Sequence, residues 1–152
     1  GQGGVSGDSH DGAVTLDKSL EELMQTELVP FQKALENGVS FVMVGHISVP
    51  QVVGDNTPAS LSQMMVSNVL REQLGYQIVI TDAMNMGAVT GNYTADQAAV
   101  MAVNAGVDMI LMPQDYETAY NGLLQAVQDG TISEERIDES VERIVKVKLQ
   151  MQ

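Results

Sequence analysis

The sequence predicts an α/β fold in which a parallel sheet is covered by helices. Three observations carry this. Short, near-continuous apolar runs rich in β-formers occur three times, the pattern of strands buried on both faces. Segments with apolar residues at helical spacing lie around and between them. The runs begin about every 30–40 residues, the length of one βα unit. Two architectures meet this description, an open doubly wound sheet and part of a (β/α)8 barrel.

The elements follow in order. Ser19 to Glu22 reads Ser-x-x-Glu, a capping box. Leu20, Leu23, Met24, Leu28, Phe31 and Leu35 then recur at helical spacing, and Gly38 closes the helix. Pro30 lies inside that span and is expected to kink or interrupt it. Ser40 to Ile47 is apolar and reads as one buried strand. Ser60 to Gln63 reads as a second capping box, leading into Leu61, Met64, Met65, Val69 and Leu70, with Gly75 as the stop. Ile78 to Thr81 is the second strand. Thr94 to Gln97 is a third capping box, ahead of Ala98, Met101, Ala102 and Ala105, and Gly106 ends that helix. Met109 to Met112 is the third strand. Tyr120, Leu123, Leu124 and Val127 mark a helix that ends at Gly130. A last helix starts near Ser133, with Ile132 and Ile137 spaced as a hydrophobic staple. It runs from Glu134 and Glu135 to Lys146 and Lys148, the charge order its dipole prefers.

Composition narrows the function classes. At 152 residues with 44% hydrophobic content, the chain is one domain's length and able to bury a core. No apolar run approaches the roughly 18 residues of a membrane span. Twenty acidic against seven basic residues leave a net charge of −13, so the basic surface that a nucleic acid requires is absent. Two histidines and no cysteine leave little from which to build a zinc site or a thiol nucleophile. Gly1-Gln-Gly-Gly4 does not read as a phosphate loop, because no strand precedes it and no Gly-Lys-Ser/Thr follows.

Both architectures bind ligands at the C-terminal ends of their parallel strands, so the polar residues there are the candidates. These are His46, Thr81-Asp82 and Pro113-Gln-Asp115, with Asp8-Ser-His10 and Asp11 in the loop ahead of the first helix. Asp82 serves either as a turn or N-cap aspartate or as a site carboxylate. The apolar stretch Ala83 to Gly87 after it either packs a helix or walls a pocket. Asp8 near His10 would raise the basicity of the imidazole and fix its orientation, as an acid/base catalyst needs. The same pair also occurs as a solvated loop contact.

Together these residues resemble a known family. Gly1-Gln-Gly-Gly-Val-Ser-Gly-Asp-Ser-His10 is similar to the end of the Lys-His-Phe-Pro-Gly-His-Gly … Asp-Ser-His signature of glycoside hydrolase family 3, in its β-N-acetylhexosaminidase branch. Gln2 stands where that motif carries His. The similarity continues through Glu27-Leu-Val-Pro-Phe31, Val42-Met-Val-Gly-His46, Pro58-Ala-Ser-Leu-Ser62, Leu70-Arg71 and Leu74-Gly75. It extends through Ile80-Thr-Asp-Ala-Met84 and Ala105-Gly106-x-Asp108 to Arg143, Ile144 and Lys148. The Asp-Ser-His and Thr-Asp-Ala-Met motifs, about 70 residues apart, are specific together.

The resemblance implies a (β/α)8 catalytic barrel. Residues 1–152 would be its C-terminal half, three parallel strands with flanking helices, starting just past the fifth strand. A complete barrel takes about 250 residues. Asp82 would be the nucleophile and His10 the general acid/base on a mobile loop, with Asp8 as its partner. His46 and Met84 are the expected substrate contacts within this chain, whereas the Lys-His pair, an Asp and an Arg that hold the sugar would lie in the other half. The implied substrate is a β-linked, non-reducing N-acetylglucosaminide such as a peptidoglycan fragment, and no metal or organic cofactor is implied. Two open sheet edges would favour self-association or a partner that supplies the missing half-barrel. A reading from another class is a non-catalytic half-barrel acting as an assembly or binding module.

Overall fold

The computed structural model describes residues 3–5 and 7–150; Gly1, Gln2, Ser6, Met151 and Gln152, and with them the Gln2 departure from the motif, lie outside the described residues. The chain forms the expected α/β arrangement of parallel strands with flanking helices. A three-stranded parallel sheet is built from β2 (Phe41–Val44), β4 (Ile78–Ala83) and β5 (Met109–Leu111) in the order β2-β4-β5. The strands follow chain order, without the reversal that marks a doubly wound sheet. Among the described residues the sheet is open at both edges. A second, two-stranded parallel sheet joins β1 (Val14–Thr15) to β3 (Ile47–Ser48).

Helices fill the intervals. Pro30 interrupts the first one. α1 (Leu20–Gln25) ends at Thr26, and α2 (Val29–Glu36) begins with Pro30 in its first turn, where a missing N–H leaves no bond unmade. Ser19 and Glu22 complete the reciprocal capping box of α1. Gln97 reaches back to the Thr94 N–H at 3.2 Å to start α5 (Ala95–Ala105). α6 (Tyr116–Gln128) begins earlier than its apolar residues indicate, because Asp115 caps it by accepting the Thr118 N–H at 2.6 Å. α7 (Glu134–Gln150) starts with Glu134 and Glu135 as expected. Ile132 is buried in a small cluster with Val103 and Ala126, against which Ile137 packs.

Two expectations are corrected. Ser40–Ile47 is not one strand. β2 stops at Val44, Gly45 and His46 leave the ladder, and Ile47–Ser48 turns to pair with β1 in the second sheet. The apolar run conceals this break because Ile47 is still buried, only in another layer. Ser60–Gln63 is not a capping box either. Ser60 lies in a 3₁₀ turn (Ala59–Leu61) after a short α3 (Pro50–Val53), and its hydroxyl bonds His46 instead. The helix that follows, Met64–Leu74, is wound with π-type bonding and ends at Gly75 in the left-handed conformation.

The main core lies between the sheet and these helices. Val66, Val69, Val79 and Ala102 are completely buried there, and each valine of this kind contributes roughly 1.5–3 kcal/mol. Gly106, at φ +111°, closes α5 where an added Cβ would collide with the Ser67 hydroxyl. Among the described residues no helix is long and apolar enough to cross a membrane.

Candidate active site

Asp82 is positioned by an irregularity in its own strand. Ile80 pairs with Met109 and Ala83 with Leu111, so three steps along β4 match two along β5. The extra residue is a bulge, and bulges re-aim side chains at the ends of strands. The bulge is stabilised locally. Thr81, fully buried, accepts the Leu111 N–H on Oγ1 at 3.0 Å, and regular pairing resumes when Met84 N–H meets the Leu111 carbonyl at 2.9 Å. Asp82 is therefore not an N-cap: the cap of the next helix, α4 (Gly87–Thr90), is Met86. The Asp82 carboxylate accepts the N–H of Ala83 on Oδ1 at 2.8 Å.

Asp8 and His10 form a pair on the loop before β1. Asp8 Oδ1 accepts the His10 backbone N–H at 2.9 Å and lies 2.7 Å from the ring Nδ1. Both side chains are exposed. The hydrogen bond to Asp8 and the charge of Asp8 hold His10 above the ordinary imidazole value. The charge of Asp82 acts in the same direction. Conversely, the bonds from His10 hold the Asp8 carboxyl below its usual range. Nδ1 therefore faces Asp8, and Nε2 is left as the proton-carrying edge of the ring.

The loop is tied down on both sides. Gly87 N–H donates to the His10 carbonyl at 3.0 Å, and Ala88 N–H to the Ser9 carbonyl at 3.2 Å. This docks the loop onto the first turn of α4, directly after the Asp82 strand. Only glycine permits that approach: a Cβ at Gly87 would lie 2.7 Å from the His10 carbonyl oxygen. On its other side the loop enters β1, which pairs with β3. Ser9, Asp82, Phe41 and Met43 border one open cleft of about 330 Å³.

His46 and Met84, unlike the exposed Asp8–His10 pair, are buried. His46 borders the same cleft but is only 1% exposed, and both of its nitrogens are used within the chain, Nδ1 with Ser60 Oγ at 2.7 Å and Nε2 with the Ala83 carbonyl at 3.0 Å. Burial pushes its pKa below the ordinary imidazole value. Met84 is buried in the main core. Asp115 is consumed as the cap of α6. Sequence reasoning passed over Gly87 and Ser60; the first lay in an apolar stretch, the second was explained as a helix cap. Among the described residues no cluster of three metal-binding side chains occurs.

The arrangement thus brings Asp8, His10 and Asp82 to one end of the parallel sheet. The profile of the glycosyl hydrolase family 3 N-terminal domain matches residues 1–147. The chain is 32% identical to the β-hexosaminidase LpqI of Mycobacterium tuberculosis, over 97% of this chain and 40% of that protein. It is 28% identical to β-hexosaminidase A of Pseudoalteromonas piscicida, over 99% of this chain and 29% of that protein. Among solved structures it superposes with a TM-score of 0.91 on a family 3 β-N-acetylglucosaminidase from Paenibacillus sp. FPU-7, at 40% identity, covering 95% of this chain and 28% of that one. The β-N-acetylglucosaminidase of Thermotoga maritima gives a TM-score of 0.85 at 30% identity, covering 96% and 32%. The chain spans less than half the length of each of these relatives. With its profile match running through nearly every residue, the chain belongs to glycoside hydrolase family 3.

Proposed function

We propose that this chain is the C-terminal half of a family 3 catalytic barrel, and that the full-length protein releases non-reducing β-linked N-acetylglucosamine with retention of configuration. One observation carries the reading: an Asp8–His10 pair with a raised imidazole pKa is docked beside a bulged strand that carries Asp82 as its penultimate residue. The names of the similar proteins, β-hexosaminidases and β-N-acetylglucosaminidases, support the sugar.

The steps follow from these groups. Asp82 attacks the anomeric carbon and the bond to the leaving oxygen breaks, while His10 gives its proton to that oxygen. A covalent glycosyl ester on Asp82 results. His10, now neutral, takes a proton from a water that attacks the same carbon, the ester bond breaks, and both groups return to their starting states. Asp8 keeps the ring oriented throughout. A histidine thus does the work that a second carboxyl does in most retaining glycosidases.

The three-stranded sheet does not close a barrel, so the chain alone is expected to be inactive until residues outside it, or a second chain, complete the sugar site. Hydrolysis of a chromogenic N-acetylglucosaminide by the full-length protein and by this chain tests the division. In the full-length protein Asp82→Ala abolishes turnover with the fold intact, since the residue stands at a strand end. Retention of more than about a few per cent of activity, well short of the loss that removal of a nucleophile causes, removes Asp82 from the role.

A further inference from the structure

We propose that Ser60 and His46 form a buried clamp on the Ala83 backbone that sets the direction of the Asp82 carboxylate, an inference that rests on the reading of Asp82 as the nucleophile. The polarity of the contacts leaves one arrangement. A carbonyl oxygen only accepts, so His46 Nε2 carries a hydrogen and donates it to the Ala83 carbonyl. Burial disfavours the charged ring, and in the neutral ring Nδ1 is unprotonated and accepts from the Ser60 hydroxyl. The Ala83 carbonyl thereby fixes the tautomer, and Ser60, by donating to the remaining nitrogen, supports it and holds the ring in place. Through its N–H, Ala83 holds Asp82 Oδ1. The chain of contacts is Ser60 to His46, His46 to the Ala83 carbonyl, and the Ala83 N–H to the carboxylate.

Location gives the clamp its purpose. The bulge between Ile80 and Ala83 disrupts the ladder to β5 where the nucleophile stands. Thr81 restrains that stretch from the β5 side through Leu111. His46, just past the end of β2, restrains it from the other side. Ser60 is fully buried, and His46 is nearly so. Polar groups in such a place are costly unless bonded, and these two are bonded to each other and to the backbone. With both nitrogens engaged inside the chain, the ring has no nitrogen left to shuttle a proton or to bond a sugar. His46 is therefore a positioning residue, and its departure from the substrate-contact expectation is explained by Ser60.

The test measures kcat and KM of the full-length protein on a chromogenic N-acetylglucosaminide, with thermal unfolding as the control for folding. His46→Leu fills the space but cannot donate. It should lower kcat on the order of 100-fold with KM nearly unchanged, the loss expected for a misplaced reacting group. His46→Gln offers an amide N–H near the position of Nε2 and should recover most of that loss. Ser60→Ala removes the support at Nδ1 and should fall between them. The clamp is overturned if folded His46→Leu keeps the parent kcat, if the Gln and Leu variants are equally impaired, or if KM rises alone, which would make His46 a sugar contact. Should His46→Leu not fold, full activity in Ser60→Ala overturns the clamp and a reduced kcat supports it. Asp82→Ala separates the two readings. Loss of turnover there with unaffected His46 and Ser60 variants discards only the clamp, whereas turnover in Asp82→Ala discards the nucleophile and the clamp with it.

Discussion

His10 shows how one side chain acquires a role from its neighbours. Its Nδ1 is committed to Asp8, and two negative charges, first that of Asp8 and then that of Asp82, keep it protonated above the ordinary imidazole value of 6.5. The general acid proposed here must carry its proton when substrate arrives, and His10 would lose it only as pH rises through the raised value. The alkaline limb of kcat/KM in the full-length protein should therefore lie above pH 6.5. Asp8→Asn keeps the shape and removes the charge, so that limb should move to lower pH; a limb that stays in place in the pH profile would exclude the Asp8–His10 pair as its source. His10→Ala should harm substrates with poor leaving groups more than those with good ones, since the latter need little protonation. Equal losses across a leaving-group series would argue against His10 as the donor.

Among the elements, Asp108 joins the most. It precedes β5, and its side chain is fully buried. Oδ2 accepts from Arg71 at 2.7 Å and from the Val79 N–H at 2.9 Å, while Oδ1 accepts from Ser140 at 2.7 Å and Arg143 at 2.9 Å. The π-type helix, β4, the start of β5 and α7 thus meet at one carboxylate. Burial alone would raise its pKa, but the Val79 N–H, Arg71 and Ser140 outweigh it and hold the carboxyl below its usual range. A depressed carboxyl contributes stability that is present above its unfolded value, near 3.8, and is lost as pH falls through the folded value. Denaturant unfolding followed against pH should show this acid loss. Asp108→Ala should destabilise by about 3–5 kcal/mol, because it takes from Arg71 its carboxylate partner, leaves Arg143 with Glu139 alone and strands the Val79 N–H. A variant with the parent midpoint would show that the network is decorative. The matches at Leu70-Arg71, Ala105-Gly106-x-Asp108 and Arg143 marked these positions in the sequence; what they do together became visible only when the helices were placed.

For the whole molecule, the dominant feature is its uncovered apolar surface. In β2, Val42 and Val44 turn into the core while Phe41 and Met43, 40% and 47% exposed, face the other way. Met112 follows at the end of β5, held in the left-handed region at φ 45°. On α7, Val141, Val145 and Leu149 form an exposed stripe one turn apart. β2 and β5 also each keep one unpaired edge. A closed barrel would cover the sheet face and both edges, in keeping with the half-barrel proposal. The isolated chain should accordingly associate, with itself or with the preceding half, despite a net charge of −13 that salt screens beyond about 8 Å. Sedimentation at micromolar concentration should show dimers or larger species, and binding of an apolar dye should fall when the other half is added. A compact monomer that binds no dye would contradict the half-barrel proposal.

Periodicity, caps and stop residues are local in the chain, and what they specify was readable there: the order of strands and helices, the break at Pro30, the caps at Ser19 and Thr94, and the parallel α/β class. The motif spacing that joins His10 to Asp82 was readable for the same reason, since each motif is a contiguous string. Packing decided the rest. Ser60 carried the pattern of a helix cap and became the partner of a histidine fourteen residues away, because the turn at Ala59–Leu61 brings its hydroxyl beneath His46. The apolar run Ser40–Ile47 did not reveal its break, since burial in either of two sheets calls for the same residue types. Nor could Gly87 declare itself, as its value lies in the nearness of a backbone almost eighty residues earlier. A sequence records which surfaces are apolar and where the chain turns; which polar atoms meet across those turns depends on distances that exist only after the sheet and helices have packed.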